Sequence, residues 1–100
     1  MCGIFGYVGK KENSANIVFE GLKLLEYRGY DSWGIAVKKD KKLILEKHIG
    51  KIGDAKINLP ESELGIGHTR WATHGKVTIV NSHPHMDCSS TLAVVHNGIV

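Results

Sequence analysis

Between Asn13 and Gly29 lies the stretch that most restricts how this chain can fold. Ile17, Val18, Gly21, Leu22 and Leu25 recur at helical spacing, with Glu20, Lys23 and Glu26 on the opposite side. An amphipathic helix must cover its apolar stripe. Strand-like stretches flank this one on both sides, so the expected solution is a helix laid on a sheet. Asn13 or Ser14 is placed to cap its start, and Gly29 to end it in a left-handed turn.

Ahead of the helix, residues 3–9 read Gly-Ile-Phe-Gly-Tyr-Val-Gly, a strand whose glycines leave the backbone open to close approach. After it, residues 33–37 and 43–49 are β-rich runs joined by Lys38-Lys39-Asp40-Lys41-Lys42, a hairpin pattern with a solvated tip. Residues 50–63, punctuated by Gly53 and Pro60, read as a short helix or turn and loop. Residues 64–69 resume strand character, 71–84 are loop-like and polar, and 91–95 form a buried strand leading to His96-Asn97-Gly98. These elements describe one α+β unit over residues 1–100, with no repeat, low-complexity tract or linker. The chain stops just after a turn-like Asn-Gly, inside an apolar stretch, and so reads as part of a longer domain.

Composition narrows the class of function. With 42% hydrophobic and 23% charged residues the chain is ordinary globular material, and a formal charge of +3 gives no reason to expect nucleic acid or an anionic membrane as partner. No apolar run approaches the roughly 18 residues of a membrane span, and no signal-peptide pattern is present, so a cytoplasmic protein is expected. The two cysteines, Cys2 and Cys88, are too few and too far apart for a disulfide framework. Without a Cys-x-x-Cys pair, a thiol redox module is the weakest reading.

Reactive and polar residues gather at the ends of the predicted strands: Cys2, the segment His68-Thr69-Arg70-Trp71-Ala72-Thr73-His74-Gly75, and His96-Asn97-Gly98. If Met1 is removed, Cys2 carries both a thiol and a free α-amine. Terminal amines titrate near ~7.8 and lysine amines near ~10.4, so at neutral pH only the former is substantially available as a base. A thiol that hands its proton to its own amine is an activated nucleophile. The other reading of Cys2 is a small hydrophobe opening a strand. Acyl transfer also needs donors for an oxyanion; the Asn97 amide and the Gly98 N–H could supply them, although Asn-Gly is equally a plain turn dipeptide. Arg70 offers a planar fork suited to a carboxylate, Thr73 a hydroxyl and Trp71 a rigid wall. Six histidines raise a competing idea, a metal module built on His83 and His85 with His68 or His74, near Asp87. That spacing is not a recognised zinc pattern, and no metal is expected. His48, on a strand, is expected to be structural.

The ordered set Cys2-Gly3-Ile4-Phe5-Gly6, Glu26-Tyr27-Arg28-Gly29-Tyr30-Asp31-Ser32, His68 to Gly75, Asn81-Ser82-His83-Pro84-His85 and His96-Asn97-Gly98-Ile99 resembles the glutaminase domain of the class II, N-terminal nucleophile glutamine amidotransferases. The resemblance spans essentially the whole chain. It implies an α+β four-layer αββα sandwich, of which residues 1–100 would be the N-terminal portion, the remaining strands and a glutamine-binding aspartate lying further on. It implies that Cys2 is the nucleophile and its amine the base, and that Asn97 and Gly98 form the oxyanion hole. Arg70 would bind the glutamine α-carboxylate, with Trp71, Thr73 and His74 lining the pocket. Arg28 and Gly29 match a loop that orders the nucleophile, and His83 a pocket-side histidine. The implied activity is glutamine hydrolysis through a γ-glutamyl thioester. Ammonia would pass to fructose 6-phosphate on a separate sugar-isomerase domain, in a homodimer when full length, with no cofactor; this portion alone would be inactive. Another amidotransferase of the same class is the alternative. Trp33 stands where the family usually has a small alanine, and Val77 where a proline commonly follows the His-Gly turn.

The N-terminal nucleophile reading requires loss of Met1. Intact-mass measurement of the protein isolated from cells is therefore expected to show a chain beginning at Cys2; active protein that retains Met1 would contradict the mechanism.

Overall fold

The computed structural model describes residues 2–29, 31–71 and 76–96, with position 28 described by its backbone alone. Strands β1 (Gly3–Val8), β2 (Ser32–Lys39), β3 (Lys42–Ile49) and β4 (Leu64–Arg70) form an antiparallel sheet in the order β1-β4-β2-β3. Helix α1 (Ser14–Leu24) packs on β1, β4 and β2. The register decides which side chains it meets. Phe5 pairs with Gly67 and Tyr7 with Gly65, while Trp33, Ile35 and Val37 face Thr69, Gly67 and Gly65 from the other side of β4. Directly opposed residues share a face, so all of these lie on the helix side.

There they join Ala15, Val18, Phe19 and Leu22 in the core, and Ile52, Ala55, Ile57 and Leu59 pack around it. A Cβ at Gly67 would lie 2.6 Å from Val18 Cγ1, so the centre of β4 must carry no side chain if α1 is to settle on the sheet. Trp33 fills this face near its end. Only 1% exposed, it has its ring centroid 5.5 Å from that of Phe19 and is stacked on His48 at 4.5 Å. The indole therefore occupies a formed apolar slot, and His48 has the structural role expected of it.

Several details differ from what periodicity suggests. The helix stops at Leu24, a short 3-10 turn follows over Glu26–Arg28, and Gly29 is extended (φ −173°, ψ 131°) rather than left-handed. Asn13 is the N-cap, yet its side chain makes no capping bond. The helix start is instead tied to a neighbouring segment, with Ser14 N–H donating to the Ser62 carbonyl (3.0 Å) and Ser62 N–H to that of Glu12 (3.0 Å). Ile17 is only half-buried, Phe19 and Ala15 taking its place in the core. Glu26, expected on the solvent side, accepts the Ile52 N–H at 2.9 Å. These are long-range contacts, which no local pattern encodes.

The hairpin forms as expected, Lys39 pairing with Lys42 and Asp40 taking a left-handed φ of 57°, a conformation that Asp tolerates better than most residues. The far face of the sheet is covered by the segment leading to a two-stranded ribbon, β5 (His85–Met86) and β6 (Ala93–Val94). Any Cβ at Gly34 would collide with the His83 carbonyl oxygen, which shows how closely this segment lies on β2. The strand expected over residues 91–95 is thus only two residues long. Asp87 shapes the ribbon's turn, its carboxylate accepting the N–H groups of Thr91 (2.9 Å) and Leu92 (3.0 Å). Ile4, Val8 and Leu64, which by register share this face, are exposed.

Replacing Trp33 by alanine would leave a large void between Phe19 and His48. Loss of a buried indole typically costs about 3–5 kcal/mol, and chemical denaturation of the full-length Trp33→Ala protein followed by circular dichroism is expected to show a loss of that size.

Candidate active site

Cys2 stands just ahead of β1, and its neighbours are fixed by the pairing of that strand. Gly3 is opposite Thr69, so one further step of the same register sets Cys2 beside Arg70, the last residue of β4. The half-buried Cys2 Sγ accepts the Trp71 N–H at 3.4 Å, and the Trp71 carbonyl oxygen lies 3.9 Å from the same sulfur. Two segments far apart in sequence thereby deliver the thiol, the arginine and the tryptophan to one end of the sheet.

Gly29 belongs to the same cluster. A Cβ on it would lie 2.6 Å from the Arg70 carbonyl carbon and 2.9 Å from the Trp71 nitrogen. Only glycine allows the chain after the 3-10 turn to pass this close over the Arg70–Trp71 peptide. The adjoining residue reinforces the crossing, Asp31 N–H donating to the Arg70 carbonyl at 3.2 Å. Arg70 is 8% exposed, and its Nη1 donates to the Lys76 carbonyl at 3.0 Å. That bond orients the guanidinium at the sheet end. Trp71 is 43% exposed.

His83 packs on the far face of the sheet, the face that His68 and Arg70 share by alternation along β4. Its ring is 4.2 Å from that of His68 and 4.3 Å from that of His85, centroid to centroid. Its Nδ1 accepts the His96 N–H at 3.4 Å, so it holds the backbone immediately ahead of Asn97, and Arg70 is close enough to act on its titration. Thr73, His74, Asn97 and Gly98 lie outside the described residues, as does the Arg28 side chain. His68 was not singled out in sequence beyond the metal idea. Alternation along β4 places it on the same face as Arg70, the one signal that could have connected it with the site.

Among the described residues no group of three or more His, Cys, Asp or Glu is arranged to hold a metal ion. Asp87, the carboxylate nearest in sequence, is engaged with the Ser89 and Thr91 side chains and the backbone of the ribbon turn. Hydrogen bonding, that of Ser89 foremost, holds its carboxyl well below the usual range.

Burial, reinforced by His83, Arg70 and His85, pushes the His68 imidazole down to about 3. His83 is pushed down to about 4, mainly by burial and then by the nearby charges of His85, Arg70, Lys47 and His96. His85 is lowered by burial, Lys47 and Arg70. At neutral pH the stack is therefore uncharged and sits beside two cations without repelling them.

Known proteins provide a comparison for this arrangement. No family model matches the chain. The glutamine–fructose-6-phosphate aminotransferase (isomerizing) of Clostridium perfringens is 55% identical over 104 aligned residues, covering 100% of this chain and 17% of the relative. Its namesake in Pyrococcus horikoshii is 52% identical, with the same coverage of 100% and 17%. The chain thus spans about a sixth of the length of these curated relatives. A solved structure of the allosteric regulatory enzyme of purine biosynthesis superposes with a TM-score of 0.73 and 30% identity, covering 86% of this chain and 19% of that one.

The histidine stack generates a pH dependence. Free imidazoles titrate near 6.5, above the folded values of His68 and His83. Between pH 6.5 and about 4 the unfolded chain binds more protons than the folded one, so stability falls as pH falls. The melting temperature is expected to drop across that window, and His83→Gln should make the drop shallower; an equally steep drop in the variant would contradict the assignment.

Proposed function

We propose that the chain is part of a class II, N-terminal nucleophile glutamine amidotransferase and hydrolyses the side-chain amide of glutamine with Cys2 as nucleophile, a reading supported by its similarity to the aminotransferases named above. The fold is the α+β type of that group, the described residues supplying a helix layer, a sheet and a facing ribbon. Residues 1–100 are read as the N-terminal portion of a glutaminase domain. The observation that carries the reading is the convergence of Cys2 with the Arg70–Trp71 strand end, with Trp71 N–H directed at the thiol.

In this mechanism Met1 is removed and the Cys2 α-amine takes the thiol proton. The thiolate then forms a bond to the glutamine side-chain carbonyl carbon, and the carbonyl electron pair moves onto oxygen. Asn97 and Gly98 donate to that oxyanion. As the tetrahedral species collapses, the C–N bond breaks, the amine returns its proton to the leaving nitrogen, and ammonia departs. Water, deprotonated by the same amine, attacks the γ-glutamyl thioester, releasing glutamate and regenerating the thiol. Arg70 pairs with the substrate α-carboxylate, a role suited to its fork at the end of β4. Trp71, Thr73 and His74 line the pocket, while Gly29 with Arg28 and, at greater remove, His83 support the backbone around it.

The acceptor of the ammonia is read as fructose 6-phosphate, giving glucosamine 6-phosphate on a further domain of the full-length polypeptide, which would act as a homodimer. Support comes from relatives about half identical over the whole chain, whose name states this acceptor. The purine-pathway neighbour is more distant at 30%, so an amidotransferase of another pathway is the weaker reading.

In the full-length protein, Cys2→Ala is expected to bind glutamine but release no glutamate; glutaminase activity surviving that change would overturn the assignment. Asn97→Ala should lower kcat by about 100 to 1,000-fold, the usual cost of one oxyanion donor, measured as glutamate release with and without fructose 6-phosphate.

A further inference from the structure

Thr69 has no part in the chemistry described so far, although it lies between the two strands that build the site. It is fully buried, with 0% exposure, on the helix side of β4 opposite Gly3 and Trp33. Its Oγ1 accepts the Gly3 N–H at 3.2 Å and donates to the Leu25 carbonyl at 3.5 Å, just beyond the end of α1. The Gly3 N–H is part of the peptide unit that joins Cys2 to Gly3. Two residues further along the same chain, Trp71 N–H meets the Cys2 sulfur at 3.4 Å.

Cys2 is therefore held at two points by one short segment: its outgoing peptide by the Thr69 hydroxyl and its thiol by the Trp71 backbone. The first point governs the second. Rotation of the Cys2–Gly3 peptide swings both the α-amine and the Cβ–Sγ bond, since both are attached to the Cα on which that peptide turns. Leu25 completes the arrangement, because by taking the hydroxyl proton its carbonyl leaves an oxygen lone pair for Gly3. The packing admits no alternative residue at Gly3, where a Cβ would lie 2.8 Å from both Thr69 Oγ1 and Leu25 Cβ.

We propose that Thr69 is a positioning residue for the Cys2 nucleophile, its hydroxyl linking the peptide after Cys2 to the end of α1 and so aiming the thiol and α-amine at the substrate carbonyl. The inference rests on the amidotransferase reading above. It assigns Thr69 no contact with glutamine, so its effect falls on the reacting geometry and not on substrate binding. A misplacement of about 1 Å at a reacting centre can cost about 100-fold in rate.

The test compares Thr69→Val, which keeps the shape and removes both hydrogen bonds, with Thr69→Ser in the full-length protein. Thr69→Val is expected to lower glutaminase kcat by about 10- to 100-fold. The KM for glutamine should stay within about twofold, and Thr69→Ser should recover kcat to within about threefold of the parent. Undiminished kcat in Thr69→Val, a rise confined to KM, or a serine variant as impaired as the valine one would overturn the proposal. Should Thr69→Val not fold, Thr69→Ala removes the same hydroxyl without adding bulk and is expected to show the same kcat loss; full kcat there overturns it equally. Cys2→Ala measured alongside separates the two readings. Activity that survives Cys2→Ala removes the amidotransferase assignment, whereas loss there with normal Thr69→Val kinetics removes only the role of Thr69.

Discussion

Everything at the candidate site depends on the antiparallel pairing of β1 with β4. Among the described residues β1 lies at the edge of the sheet with β4 as its partner, and its register places Gly3 opposite Thr69. A slip of one residue would send Phe5 and Tyr7 to the far face and carry Cys2 past Arg70. The helix guards against that slip. Phe5 and Tyr7 must pack beside Val18 and Leu22, and the bare centre of β4 leaves space for the helix only when the glycines lie beneath it. Hydrophobic burial in the middle of the sheet thus sets the chemistry at its end.

The far face solves a different problem. Arg70 needs to be held at the sheet end, where a cation is costly to bury without partners. The Lys76 carbonyl supplies one partner directly. Burial keeps the neighbouring rings of His68, His83 and His85 neutral at physiological pH, so they add no like charge beside Arg70. The same stack ties the chain leading to Asn97 back onto the sheet through the His96 N–H. Packing and site geometry on this side therefore rest on the protonation state of a few imidazoles, and acid disturbs both together.

The backbone crossing of Gly29 and Asp31 over Arg70 and Trp71 links these two arrangements. It lies where the turn after α1, the end of β4 and the approach to β2 meet, so the helix side and the site share one set of backbone contacts. The Glu26 carboxylate continues the network to Ile52, which is itself in the core. Loosening any of these contacts would reach the thiol through the Trp71 N–H.

Much of this was legible in the sequence. The amphipathic stretch, the lysine-tipped hairpin and the strand over residues 64–69 follow from periodicity and turn chemistry, which are local properties. Cys2, Arg70, Trp71, Asn97 and Gly98 could be picked out because few residue types can supply a nucleophile, a carboxylate fork or an oxyanion donor. What tertiary structure alone decided are relations between residues far apart in the chain. Gly29 lies so close over the Arg70–Trp71 peptide that no Cβ fits, and the Glu26 carboxylate accepts a backbone N–H of a distant loop. His83 stacks on His68 and accepts the His96 N–H, and Trp33 finds a slot between Phe19 and His48. None has a periodic signature, because each arises only when the pairing of β1, β4 and β2 brings separate segments within contact distance. The sequence by itself determined which chemical groups this protein carries and which elements carry them; the sheet register determined which of those groups meet.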